Sequence, residues 1–220
     1  MKKGIIFALA GIVLIVAFVF GSTYYKGQQA RDAENIAQGN AEIFNREYSQ
    51  TLGNEDAKVV ITEFIDPGCG TCRAFAPFVK SALSAYPGKI RLVIKYAPFH
   101  QGADYMVKIL EASKRQGKYW ETLKIMYDSQ ELWAGHQNPQ TQVIWPLLSE
   151  AGLDIEKLKI EMNDPEIARV IQQDIADAQT LGVNKTPGFF VNGRPLEPFG
   201  SEPLKELIMS ELRKNYKDLN

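Results

Sequence analysis

Val59-Val60-Ile61-Thr62-Glu63-Phe64-Ile65-Asp66-Pro67-Gly68-Cys69-Gly70-Thr71-Cys72 is the stretch on which the reading of this 220-residue chain turns. From Val59 to Ile65 the residues are β-branched or aromatic except for Glu63, and a Pro-Gly break follows. Such nearly continuous apolar character predicts a central strand buried on both faces. Beyond the cysteines, Phe75, Phe78, Val79, Ala82, Leu83 and Tyr86 recur at steps of three and four, predicting a helix from about Cys72 to Tyr86 that Pro87-Gly88 stops. Pro77 falls inside it; the stripe continues past, so a kink is expected there. Ile90 to Tyr96 reads as a second strand, and a strand-helix-strand unit of this length implies parallel pairing.

Cys69 and Cys72 are the only cysteines, which excludes a scaffold stapled by disulfides and concentrates any sulfur chemistry at one point. At a strand-to-helix junction, Cys69 meets the unpaired N–H groups and the positive end of the helix dipole. Such surroundings lower a cysteine pKa from about 8.5 to about 3.5–7.5. Cys72, one turn on, is within disulfide reach and is expected to be the less exposed thiol. Half of a zinc site and an inert buried pair are the competing readings. A structural zinc needs four ligands, and the two histidines, His100 and His136, stand at irregular distances from the pair. No metal site and no cofactor are therefore expected. Glu63, among Val59, Ile61 and Ile65 on one strand face, is expected to have a raised pKa and to exchange a proton with Cys72; a strand twist or a lysine partner is the alternative.

Further along, helices are predicted at Tyr105–Gln116, Tyr119–Tyr127, Thr141–Ala151, Ile155–Asn163 and Pro165–Leu181, a helical region of about residues 103–180. Phe189-Phe190-Val191 and Pro195-Leu196-Glu197 flank Asn192-Gly193, a hairpin signal. Leu204, Leu207, Ile208 and Leu212 mark a terminal helix. The order is β-α-β, helices, β-hairpin, α: an α/β fold with a small sheet covered on both sides. For Thr186-Pro187, just before the hairpin, local sequence makes a trans bond the default, since only about 5–6% of X–Pro bonds in folded proteins are cis.

At the amino end, Lys2-Lys3 precedes an uncharged apolar run from Gly4 to Gly21, with Tyr24 and Tyr25 beyond. About 20 residues can cross a hydrocarbon layer about 30 Å thick. The run exceeds the usual ~7–15 residue core of a signal peptide and lacks an Ala-x-Ala site, so an uncleaved anchor (residues 1–25) is favoured over a cleaved signal or a buried helix. Either leading reading puts the remainder outside the cytoplasm. Residues 26–50 read as a stalk or spacer helix, with packing against the domain or a second subunit as the alternative. Leu52 to Ala57 reads as a turn into the globular part, 51–214. With 25 basic and 26 acidic residues the chain carries no charge block suited to nucleic acid.

Taken together, Leu52 to Val59, Glu63-Phe64 with Cys69-Gly70-Thr71-Cys72, the helical insertion and Thr186-Pro187-Gly188-Phe189-Phe190-Val191-Asn192-Gly193 resemble the DsbA-like branch of the thioredoxin superfamily, over about Leu52 to Leu212. The resemblance implies a thioredoxin-like fold with Cys69 as nucleophile, Cys72 as resolving thiol and Glu63 as the buried acid. It also implies a cis Thr186–Pro187 bond facing the disulfide, with the Thr186 backbone pairing with an extended substrate. Cysteine-containing exported proteins as substrates and a membrane redox partner follow as expectations, on the periplasmic or extracellular side of a bacterial membrane. This chain departs from the pattern at Gly68, where many relatives carry a bulky residue, and at Gly70-Thr71, which lacks both the thioredoxin proline and the Pro-His of DsbA. That points to a moderately oxidising enzyme, with a reductase or isomerase as the nearest competitor and a copper-binding or client-holding module behind it.

Overall fold

The computed structural model describes the backbone of residues 2–135 and 138–219, and their side chains except at 2–10, 26, 30 and 218. His136, weighed above as a metal ligand, lies outside the described residues. In chain order the elements are α1 (Lys2–Gly39), β1 (Gln50–Gly53), β2 (Val59–Ile65), α2 (Gly70–Ala85), β3 (Ile90–Tyr96), α3 (Ala103–Lys114), α4 (Tyr119–Asp128), α5 (Gln130–Trp133), α6 (Ile144–Glu150), α7 (Ile155–Glu161), α8 (Pro165–Thr180), β4 (Gly188–Val191), β5 (Arg194–Pro195) and α9 (Ser201–Asn215).

The five strands form one sheet in the order β1-β3-β2-β4-β5. β2 pairs in parallel with β3, Ile61 opposite Leu92, and antiparallel with β4, Thr62 opposite Phe190. Strand alternation then sorts the side chains. Val59, Ile61 and Ile65 face a core shared with α2, α9 and the helical insertion; Phe64 faces a smaller one with Ala178, Leu181 and Phe190. Glu63 shares the first face. Asn192 and Gly193 have φ of 50° and 76°, the positive pair that a two-residue hairpin turn requires. The Asn192 side chain accepts the Val60 N–H at 2.8 Å and donates to Glu211 at 3.0 Å, tying the hairpin to β2 and α9.

Two expectations change. Leu52 does not begin a turn: β1 is an edge strand, antiparallel to β3, that Gln-Thr-Leu-Gly does not announce by alternation. The residues expected to form a spacer also divide. α1 runs unbroken through Gly39, but Ala37 and Ile43 are buried in the smaller core, and Phe44 meets Phe190 with ring centroids 5.3 Å apart. Arg46 then donates twice to Asp177, at 2.7 and 3.1 Å, and Tyr48 Oη donates to Asp174 at 2.6 Å. The connector is thus docked on the domain.

Behind that docking is a buried charge cluster. Lys95, inside the apolar run of β3, is fully buried and pairs with Asp174 and, at 2.8 Å, Asp177 of α8. Burying an ammonium without partners costs several kcal/mol, so β3 and α8 must meet in one register. Asp174 also accepts the Tyr96 N–H at 2.9 Å, at the end of the strand.

From Ile12 to Phe20 every large apolar side chain of α1 is exposed. The first part of the expected span, Gly4 to Ala10, has side chains outside the described residues. Among the described residues, no helix is long and apolar enough to cross a membrane.

Candidate active site

β2 ends at Ile65, and Asp66-Pro67-Gly68 carries the chain to α2, where Cys69 is the N-cap residue with extended backbone (φ −81°, ψ 116°). Two grips hold this turn. The fully buried Asp66 carboxylate accepts the Gly68 N–H at 2.7 Å and, from the loop after β3, the N–H groups of Phe99 at 2.7 Å and His100 at 2.8 Å. From the other side Gln130, buried at the start of α5, donates to the Pro67 carbonyl at 2.7 Å. Neither residue carries a sequence signal for such a role; each is defined only by the strands and helices that bring it there.

Both sulfurs are buried, Cys69 at 6% exposure and Cys72 at none, and both are free thiols. Cys69 Sγ lies 3.2 Å from the Thr186 carbonyl oxygen, to which it donates when protonated, and the Thr186–Pro187 bond is cis. A second cis bond, Glu197–Pro198, was not anticipated. Cys69 is held at a pKa of about 5: the Cys72 thiol donates to its sulfur, burial opposes, and the Thr186 side chain with the Cys72 and Thr71 N–H groups adds further donors. Those N–H groups are the unpaired donors of the first turn of α2. Cys72 is pushed far the other way, chiefly by burial, then by its hydrogen bond to Cys69 and the charges of Glu63 and Cys69. One sulfur is therefore an anion at neutral pH and the other stays protonated.

Glu63 is 4% exposed, and its pKa is pushed up to about 8 by burial first and the Cys69 charge second. It sits at the wall of a largely apolar cleft of about 700 Å³ lined also by Ile65, Pro77, Leu83, Trp120, Leu123 and Tyr127. α2 runs on through Pro77 as a single helix. Tyr127, whose pKa is raised by burial and then by Cys72 and Glu63, belongs to the same surroundings. Nothing in the sequence singles it out, because an aromatic on a helical stripe looks like core. Thus Cys69, Cys72, Glu63, Thr186 and Pro187 are brought together. Among the described residues no group of three or more His, Cys, Asp or Glu side chains is arranged to hold a metal.

A sequence profile described as thioredoxin matches residues 45–210. A crystal structure of a thioredoxin-like oxidoreductase from Silicibacter pomeroyi superposes with a TM-score of 0.67 at 30% identity, covering 80% of this chain and 98% of that one. Oxidised BdbD from Bacillus subtilis superposes with the same TM-score at 20% identity, over 76% and 94% of the two chains, which speaks to fold alone. Among curated sequences, a probable disulfide bond formation protein D from Bacillus anthracis is 28% identical over 226 residues, 97% of each chain. A Na(+)/H(+) antiporter NhaA from Herminiimonas arsenicoxydans is 30% identical over 151 residues. That match takes in 68% of this chain but 23% of the antiporter, so the chain spans about a quarter of that relative's length. Its match to a second such antiporter, from Salinispora tropica, spans 32% of the relative.

Proposed function

We propose, from the premise that the chain belongs to the thioredoxin family, that it is a DsbA-like protein thiol–disulfide oxidoreductase that forms disulfides in exported proteins. The observation that carries the reading is the placement of the two sulfurs: Cys69 at the N-cap of α2, 3.2 Å from the Thr186 carbonyl beside a cis proline and among donors that lower its pKa to about 5, with Cys72 fully buried behind it and its pKa raised. In the oxidised enzyme a client thiolate attacks Cys69 Sγ and Cys72 leaves, taking a proton from Glu63. A second client thiol then displaces Cys69, whose low pKa makes it a good leaving group. The client leaves oxidised and the pair reduced. The Thr186 carbonyl, 3.2 Å from Cys69 Sγ, is the backbone group against which an extended client would lay its strand.

The exposed apolar face of α1 from Ile12 to Phe20 supports an anchor in the membrane, with the globular part outside the cytoplasm and a membrane redox partner to reoxidise the pair. A reductase uses the same parts in reverse, so direction is the quantity to test. The equilibrium with glutathione should give a reduction potential above the thioredoxin value of about −270 mV. A potential well below that value would overturn the oxidase assignment.

A further inference from the structure

Gly68, the residue before the nucleophile, is packed directly against His100: a Cβ placed on Gly68 would lie 3.0 Å from His100 Cβ and 3.5 Å from its Cγ. An imidazole from the β3–α3 loop therefore packs on the residue that precedes the nucleophile, although no histidine lies between the two cysteines. Its Nδ1 is 2.8 Å from Asp66 Oδ2, and the same carboxylate accepts the backbone N–H groups of Gly68, Phe99 and His100 itself. A carboxylate ringed by donors accepts and does not give, so the proton of the neutral imidazole is on Nδ1 and the lone pair on Nε2. Among the described residues Nε2 makes no hydrogen bond, and the side chain is 40% exposed. Asp66 is not at the surface at all. This is a buried carboxylate orienting a half-exposed base against the turn that delivers the reactive sulfur, an arrangement with a direct use in thiol exchange.

We propose that His100, oriented by Asp66, takes the proton of the client thiol that attacks Cys69 and returns a proton to a client thiol that leaves. The inference rests on the exchange reading of the pair. In the forward step the client S–H proton passes to His100 Nε2 as the client sulfur bonds to Cys69 Sγ. The Cys69–Cys72 bond breaks, its electron pair leaves on Cys72, and Glu63 supplies the proton that sulfur needs. The client sulfur is oxidised and Cys72 reduced; no external oxidant enters. Because a free thiol of pKa about 8.5 is about 3% ionised at pH 7, a base can gain at most about 30-fold there.

The test uses the oxidised 220-residue chain in detergent, with wild type, His100→Gln and His100→Ala compared at pH 7 against two probes. One is an unstructured peptide with two cysteines; the other is thionitrobenzoate, which is already an anion. Both variants should oxidise the peptide about 3- to 30-fold more slowly and react with thionitrobenzoate at the wild-type rate. Added imidazole should restore part of the loss in His100→Ala. An unchanged peptide rate, or equal slowing with both probes, overturns the role of His100 and leaves the exchange reading standing. Wild-type protein that reacts with neither probe would instead overturn the exchange reading, and this inference with it.

Discussion

Cys69→Ser is expected to lower client oxidation by on the order of 10³-fold or more, as loss of an attacked or attacking atom does in other enzymes; Cys72→Ser, which cannot form the Cys69–Cys72 disulfide, should lose client oxidation too but keep a Cys69 thiolate that attacks client disulfides. The asymmetry follows from the two environments. Cys69 has the donors that stabilise an anion: the Cys72 thiol, the Thr186 side chain and two backbone N–H groups. Cys72 is fully buried and has its proton held by burial. With Cys72 removed, Cys69 can still attack a client disulfide, but the mixed disulfide loses its internal resolving thiol. Cys72→Ser should therefore accumulate covalent client adducts that a reducing agent releases on a gel, and Cys69→Ser should form none. Adducts through Cys72 in the Cys69→Ser protein would reverse the assignment.

Glu63→Gln is expected to stabilise the reduced protein at pH 8 and leave it nearly unchanged at pH 4.5. The folded-state pKa of about 8 lies above the ordinary value of 4.5, so between those limits the folded chain holds a proton that the unfolded chain has released. Stability is therefore highest below pH 4.5 and falls as the pH rises toward 8, by on the order of 4 kcal/mol in all. Glutamine keeps the shape of the protonated acid and cannot ionise, so that slope should vanish. Denaturant melts at the two pH values measure it. The same variant should slow the resolving step by about 10²-fold, since Cys72 loses its proton partner. A stability profile that stays parallel to the wild type would mean that Glu63 ionises as freely in the fold as outside it.

The parts of this molecule that were legible in advance are those governed by short-range patterns. The run from Val59 to Ile65 and the Asn192-Gly193 turn each carry their physical reason in adjacent residues: unbroken burial in one, paired positive φ in the other. Cys69 at the strand-to-helix junction follows from the same logic, although the apolar stripe places the helix start at about Cys72 and α2 begins at Gly70, with Cys69 as its N-cap. What stayed hidden depends on partners far away in the chain. Lys95 sits in a stretch that reads as plain core, and only Asp174 and Asp177, about 80 residues on, make it tolerable there. β1 has too few side chains to show a period, and its edge pairing with β3 becomes visible only in the sheet. Gln130, Asp66 and His100 act through one or two hydrogen bonds each to the active-site turn, which no spacing encodes. The cis state of Thr186–Pro187 was expected from family resemblance alone; nothing in the neighbouring residues favours it over trans.

The docked connector gives the site a setting. Arg46 and Tyr48 hold the segment after α1 onto α8 through Asp177 and Asp174, and Arg194 of β5 reaches Glu34 of α1 at 3.8 Å. The exposed pair adds little stability by itself. The buried cluster joins the segment after α1 to β3, the neighbour of the strand β2 that carries Glu63 and leads into Cys69.

The sulfur at position 69 decides the matter, because leaving-group quality, attack on a client and the division of labour with Cys72 all require it to be anionic near neutral pH. Its rate of alkylation by iodoacetamide in the reduced chain, followed from pH 3 to 10, should rise with a midpoint near 5. A midpoint at the free-cysteine value of about 8.5 would contradict the account.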